Sequence, residues 1–214
     1  MSPVMKDRER GTWIMSYVRL KIAVMAIALC AAAAPAGHAE NAAIRNCNWC
    51  HGGSGQGYTP APRLAGQRPQ YVATQLMNFS SHARDNPFSK MYMWGAAANL
   101  SRQTVHDLAA YYATLSPRAA NDGDRELAAE GQSIYQEGMP DANIVACVVC
   151  HGPNAEGVRG IPRLGGLAFT YLKRRLEQWG EGFHAAAGPP MPSIAGKLSQ
   201  NQIEALASYL SFVK

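Results

Sequence analysis

Along residues 199–212, SQNQIEALASYLSF, the apolar side chains Ile203, Leu206, Ala207 and Leu210 recur at intervals of three and four. That spacing lays them on one face of an α-helix. Ser199 and Gln202 stand where the helix opens, in the order of a capping box. The pattern repeats after Ser101, where Val105, Leu108, Ala109 and Tyr112 take the buried side. Residues 69–79 and 169–179 read as a second helix pair, and 126–137 as a further helix leading towards residue 147. No stretch alternates apolar and polar positions convincingly enough to predict a strand. The expected class is all-α.

Sliding the chain along itself shows why the helices come in pairs. At an offset of one hundred, PRLAGQRPQYVATQLMNF (62–79) lies over PRLGGLAFTYLKRRLEQW (162–179). Arg63, Leu64, Gly66, Tyr71 and Leu76 match Arg163, Leu164, Gly166, Tyr171 and Leu176, and Phe79 matches Trp179. The offset then falls to ninety-eight, and MWGAAANLS (93–101) lies over MPSIAGKLS (191–199). Self-similarity of this kind means a unit present twice. The polar segment SPRAANDGDRE at 116–126 reads as the connection. The expected organisation is a leader at 1–39, one domain at 40–120, a linker at 121–124 and a second domain at 125–214.

The leader changes how composition is read. Basic residues Arg19 and Lys21 precede the apolar run IAVMAIALCAAAAPA at 22–36, and small residues follow at Gly37 and Ala39. This is the pattern of a secretory signal, with cleavage predicted after Ala39. The apolar run is short for a membrane span. The whole chain carries 20 Lys+Arg against 15 Asp+Glu. Five of those basic and two of those acidic residues lie in 1–39, which leaves a net charge of +2. The basic character therefore belongs largely to the leader, and a nucleic-acid partner loses its support. Cys30 leaves with the leader too, so that four cysteines remain, in NCNWCHGG (46–53) and ACVVCHGP (146–153).

Domains this small and this rich in loop bury little apolar surface, so another component belongs in each core. Cys-x-x-Cys in a helical turn lets both sulfurs reach two vinyl groups on one porphyrin edge, and the following histidine then faces the iron. The motif is a c-type haem attachment site. A shared Cys₄ zinc site would need the two pairs to converge and would leave His51 and His151 without a purpose. A redox disulfide in each motif would not explain the common histidine, glycine and downstream Arg-Leu. Two covalently attached haem c groups are the expected cofactors.

A low-spin carrier needs a second axial ligand, and methionine is a common partner to histidine. Among the methionines the repeat singles out Met93 and Met191, each followed by Ala at +4, Leu at +7 and Ser at +8. Met91 also fits the first loop and stays open as an alternative. His82, His106 and His184 are expected at the surface. Arg63 and Arg163 suit either a haem propionate or a loop-stabilising role. Tyr71, Tyr171, Phe79 and Trp179 suit core or haem-wall positions. Trp49, between the cysteines, suggests local packing, and Lys173-Arg174-Arg175 a solvated helix face.

The paired Cys-x-x-Cys-His motifs, RLAGQRPQYVATQL and the two Met-x-x-x-Ala-x-x-Leu-Ser ends resemble the dihaem cytochromes c4, over essentially all of the chain beyond the leader. The resemblance implies two class I cytochrome c domains about a pseudo-twofold axis, each around its haem, with propionates near the interface. It implies a periplasmic carrier passing electrons from respiratory donors to a terminal oxidase. Carried onto this chain, Cys47 and Cys50 tether one haem with His51 and Met93 axial. Cys147 and Cys150 tether the other, with His151 and Met191 axial. One departure is that only ENAAIRN separates the predicted cleavage point from Cys47, under two helical turns, where the second domain has 126–137.

Two saturated irons would leave no open position for a substrate, so the expected role is electron carriage rather than enzymatic chemistry. The expected partners are redox proteins: a terminal oxidase, a quinol-oxidising complex or a dehydrogenase, with attachment at the membrane surface left open. The alternative is the electron-accepting cytochrome subunit of a flavoprotein dehydrogenase, such as one oxidising sulfide. A thiosulfate-oxidising dihaem enzyme with a cysteine ligand fits less well, because thioethers take all four cysteines.

Overall fold

In the computed structural model the described residues are 37–183 and 190–214, with side chains from residue 42 onward. The leader up to residue 36, with Cys30, and His184 lie outside them.

Each half of residues 40–214 is a set of helices wrapped around the place where its Cys-x-x-Cys-His motif enters. In the first half, helix α1 (Gly37–His51) ends in the motif itself. Helix α2 (Pro69–Ser80) follows an extended Arg68 and starts on a proline, which is pre-set for a first helical turn. A π-helical turn (Ser89–Met93) runs into the short α3 (Trp94–Ala97), and α4 (Arg102–Thr114) closes the half. In the second half come α5 (Ala128–Glu137), the one-turn α6 (Val148–His151), α7 (Phe169–Gly180), α8 (Met191–Ala195) and α9 (Gln200–Phe212). Among the described residues there is no strand. Single bridges Tyr58–Ala61 and Val158–Ile161 fall at the same place in each half.

The caps follow the residue chemistry. Ser199 Oγ accepts the Gln202 amide while Gln202 Oε1 accepts the Ser199 amide at 2.8 Å, which completes the capping box. At α4, Ser101 Oγ accepts from Thr104 N at 3.0 Å. Helix α4 buries Val105, Leu108, Ala109 and Tyr112 and packs on α2. Helix α9 buries Ile203, Leu206, Ala207 and Leu210 and crosses α5 and α7. Both helix faces are those the apolar spacing predicts.

The halves differ at their entry. Helix α1 runs unbroken from Gly37 through both cysteines, so the predicted cleavage after Ala39 falls within its first turn. In the second half α5 and α6 are separate, with the 3₁₀ turn Pro140–Ala142 between them. Gly138 at φ 71° ends α5 by turning the chain into a conformation that an L side chain rarely adopts.

Hydrogen bonds join the halves. Gln67, buried at 6 %, donates from Nε2 to Arg163 O at 3.0 Å and accepts from Arg163 N at 2.7 Å. Arg63 donates to Gly166 O, and Arg84 donates to Tyr171 Oη at 3.4 Å. The connecting residues lie on the second half: Gly123 N donates to Ser211 Oγ and Asp124 N to Ser208 Oγ, both at 3.1 Å. Asp122 accepts from Phe169 N at 2.9 Å. Replacing Gln67 with leucine keeps the volume but leaves the part-buried N–H and C=O of Arg163 without this partner. The expected cost is about 2 kcal/mol. With a denaturant slope of about 2 kcal/mol/M, the urea midpoint should fall by roughly 1 M; an unmoved midpoint would show that the seam is not held here.

Candidate functional site

In the second half, Cys147, Cys150, His151 and Met191 line one cleft. The rest of its wall is largely apolar, with Leu164, Leu176, Ile194, Leu198, Leu206 and Leu210 prominent. Tyr135 also reaches the cleft, and its hydroxyl is occupied in donating to Gly152 O at 2.6 Å. Helices α5, α7 and α9 thus supply the walls, and α6 and α8 bring in the chemistry from opposite ends of the repeat unit.

The histidines are set the same way in both halves. His151 Nδ1 donates to Pro162 O at 3.0 Å, and His51 Nδ1 donates to Pro62 O at 2.7 Å. A carbonyl can only accept, so Nδ1 carries the proton and Nε2 keeps its lone pair. Each ring is 6 % exposed. Burial pushes both imidazoles below their ordinary pKa, against a smaller opposite pull from the proline carbonyls. Both are therefore neutral at physiological pH, in the tautomer a metal ligand needs. The loop beyond each histidine repeats as well, with His51 O accepting Gly57 N and His151 O accepting Gly157 N, both at 2.8 Å.

The cysteines divide by position. Cys47 and Cys147 are half-buried, and Cys50 and Cys150 are exposed. Burial raises both inner thiols, Cys147 to about 11. Among the described residues no three His, Cys, Asp or Glu side chains gather as a metal cluster, and the pairs do not converge as a shared zinc site requires.

On the methionine side, Met191 opens α8 on the cleft wall. Met93 is half-buried at the end of the π-helical turn, whereas Met91 is 71 % exposed. His82 and His106 are at the surface, as expected.

Two surface expectations are corrected. Trp49 does not pack locally: the residue is 83 % exposed, and its carbonyl accepts from the Tyr58 hydroxyl. Nor is Lys173-Arg174-Arg175 a freely solvated face. Lys173 pairs with Glu204, the Arg174 guanidinium sits 4.0 Å from the Phe88 ring centroid, and that of Arg175 sits 5.1 Å from Trp179. Tyr71 and Tyr171 face each other around the buried Arg84 at the seam, and each hydrogen-bonds its guanidinium. Arg63, Arg68 and Arg84 each keep a buried Nε with no partner. The Arg84 cluster and the Gln67 clamp carried no signal in the sequence. The offset repeat could have flagged position 67 only as a departure, since Leu167 is its counterpart.

An apolar cleft with two thiols, a neutral imidazole and a thioether fits a flat, apolar macrocycle with a metal at its centre. Haem c meets that description.

The comparisons agree. The family model "Cytochrome c" matches residues 128–214, and "Cytochrome C oxidase, cbb3-type, subunit III" matches residues 32–111. Cytochrome c4 of Thiocapsa roseopersicina is 38 % identical over 170 residues, spanning 77 % of this chain and 85 % of that protein. The thiosulfate dehydrogenase electron acceptor of Thiomonas intermedia (strain K12) is 36 % identical over 174 residues, 78 % of this chain and 77 % of that one. The solved cytochrome c4 of Acidithiobacillus ferrooxidans superposes with a TM-score of 0.72 at 31 % identity, covering 78 % of this chain and 98 % of that one.

The protein is thus a dihaem c-type cytochrome, an electron carrier built from two helical cytochrome c domains with one covalently attached haem in each. Within that class the chain belongs to the cytochrome c4 family.

Proposed function

We propose that Cys47 and Cys50 tether the first haem, with His51 and Met93 as axial ligands, and that Cys147 and Cys150 tether the second, with His151 and Met191. The observation that carries this is a cleft lined by both Met191 and His151, the latter with its Nδ1 already committed to Pro162. The first half repeats the histidine geometry, and its half-buried Met93 is favoured over the exposed Met91. Of the propionate candidates, Arg63 keeps a buried Nε without a partner, which a carboxylate would satisfy, whereas Arg163 Nε donates to Gly165 O.

On this reading both irons are six-coordinate and the protein has no substrate chemistry of its own. It holds up to two electrons in the units 40–120 and 125–214, joined at 121–124. It works in the periplasm, where its secretory leader would send it, between respiratory donors and a terminal oxidase or another acceptor. No described helix is long and apolar enough to cross a membrane. A second reading, the electron acceptor of a dehydrogenase, is favoured by the Thiomonas relative that bears that description.

Met191→Ala tests the ligand set. The expected result is loss of about half the near-infrared Met–Fe absorption and a fall in the second haem's potential, because a thioether favours ferrous iron. Full absorption in this variant would remove Met191 from the site. Redox titration with a purified oxidase, and separately with a dehydrogenase, would decide between the two roles.

A further inference from the structure

The two methionines are held by unlike means. Met191 stands between Pro190 and Pro192, and α8 caps back onto Pro190 O through Ser193 N and Oγ. Met93 has no neighbouring proline. It ends a π-helical turn, a form seen mostly as single turns and often at functional sites. Such a turn winds its residues at an unusual register, so something must decide whether Met91 or Met93 is turned inwards.

The turn is fixed at both ends. At its start Asn86 and Ser89, both buried, exchange two hydrogen bonds: Asn86 Nδ2 to Ser89 Oγ at 2.6 Å and Ser89 N to Asn86 Oδ1 at 3.0 Å. At its end stands Trp94, whose amide donates to Ser89 O and so closes the turn. The Trp94 indole N–H donates to Arg84 O at 2.9 Å. Its ring stacks on His82, with centroids 3.9 Å apart and planes 13° from parallel. Lys90 Nζ lies 5.7 Å from the same ring. His82 belongs to the reversal after α2: its φ is 63°, and its amide donates to Phe79 O. Trp94 is thereby fastened to the C-terminal end of α2, and Met93, one residue before it, inherits that position.

We propose that Trp94 is the positioning residue that sets Met93, rather than Met91, as the axial ligand of the first haem. This rests on the ligand reading above, in which Met93 is bound. The counterpart of Trp94 is Pro192, so the device belongs to the first half alone. The second haem is then an internal reference in every measurement.

The test uses the full dihaem protein carrying Trp94→Ala, Trp94→Phe, His82→Ala or Met93→Leu. Near-infrared Met–Fe absorption, carbon monoxide binding by the reduced protein and the potential of each haem are read. In Trp94→Ala the first haem should bind carbon monoxide about tenfold more readily, since a stack and a hydrogen bond together are lost. A tenfold loss of the thioether's preference for ferrous iron is about a 59 mV fall in that haem's potential. Trp94→Phe keeps a ring on His82 and should recover part of both effects, whereas the exposed His82→Ala should show part of the loss. The second haem should be unchanged throughout. Adding Met91→Leu to Trp94→Ala should lower the absorption further if the freed turn lets Met91 bind. If Met93→Leu removes about half the absorption while Trp94→Ala and His82→Ala behave as the parent, the positioning role is overturned and the ligand reading survives. If Met93→Leu leaves the absorption intact, both fall.

Discussion

Replacing Cys147 and Cys150 together with alanine is expected to yield a protein with one covalent haem and a second half that no longer folds. The apolar cluster of that half, which includes Tyr135, Leu206 and Leu210, is arranged around the cleft instead of closing over it. Without the macrocycle the leucines lining that cleft lose their cover, and each such side chain left facing water forgoes about 1.5–3 kcal/mol. Domains are stable by only about 5–15 kcal/mol in total, and a unit this small has little in reserve. Intact mass should fall by one haem, and helical circular dichroism should fall by about the share of α5 to α9. Two haems surviving denaturing electrophoresis would refute the tethering assignment.

The second large effect is expected at Gly131, remote from any ligand. Helix α5 crosses α9 there so closely that a Cβ on Gly131 would lie 2.0 Å from Ala205 O and 2.8 Å from Tyr209 Cβ. The obstruction is backbone, which cannot swing aside. Gly131→Val should therefore push the helices apart and cost roughly 3 kcal/mol, or about 15 °C in melting temperature for a domain of this size. Gly95→Ala is the control, because nothing lies within 4 Å of its Cβ position. A melting curve for Gly131→Val that overlays the control would contradict the crossing.

These two variants mark what could be read from residue order. The helices over 101–114 and 199–212, the repeat and both haem motifs were legible, because spacing of apolar side chains and contiguous chemistry are local properties. The closeness at Gly131 was not, because one glycine in a helix bears the same letter whether or not another helix crosses it. Trp49 was expected to pack and instead lies exposed: a large ring between two cysteines says nothing about which side faces outwards. Arg174 and Arg175 read as solvated because the chain that supplies their aromatic partners is distant for one and adjacent for the other: Phe88 for Arg174, Trp179 for Arg175. The offset between repeats favoured Met93 and Met191 but did not separate Met93 from Met91. The difference in burial favours Met93, and that comes from how the π-helical turn is wound.

The amide of Gln67, gripping both backbone groups of Arg163, ties the two haem-binding halves to each other directly rather than through the linker alone. Tunnelling slows steeply as the gap between centres widens, so loosening this tie should slow electron exchange between the haems. Cutting the tie would then change transfer within the molecule and leave its encounters with other molecules as they were.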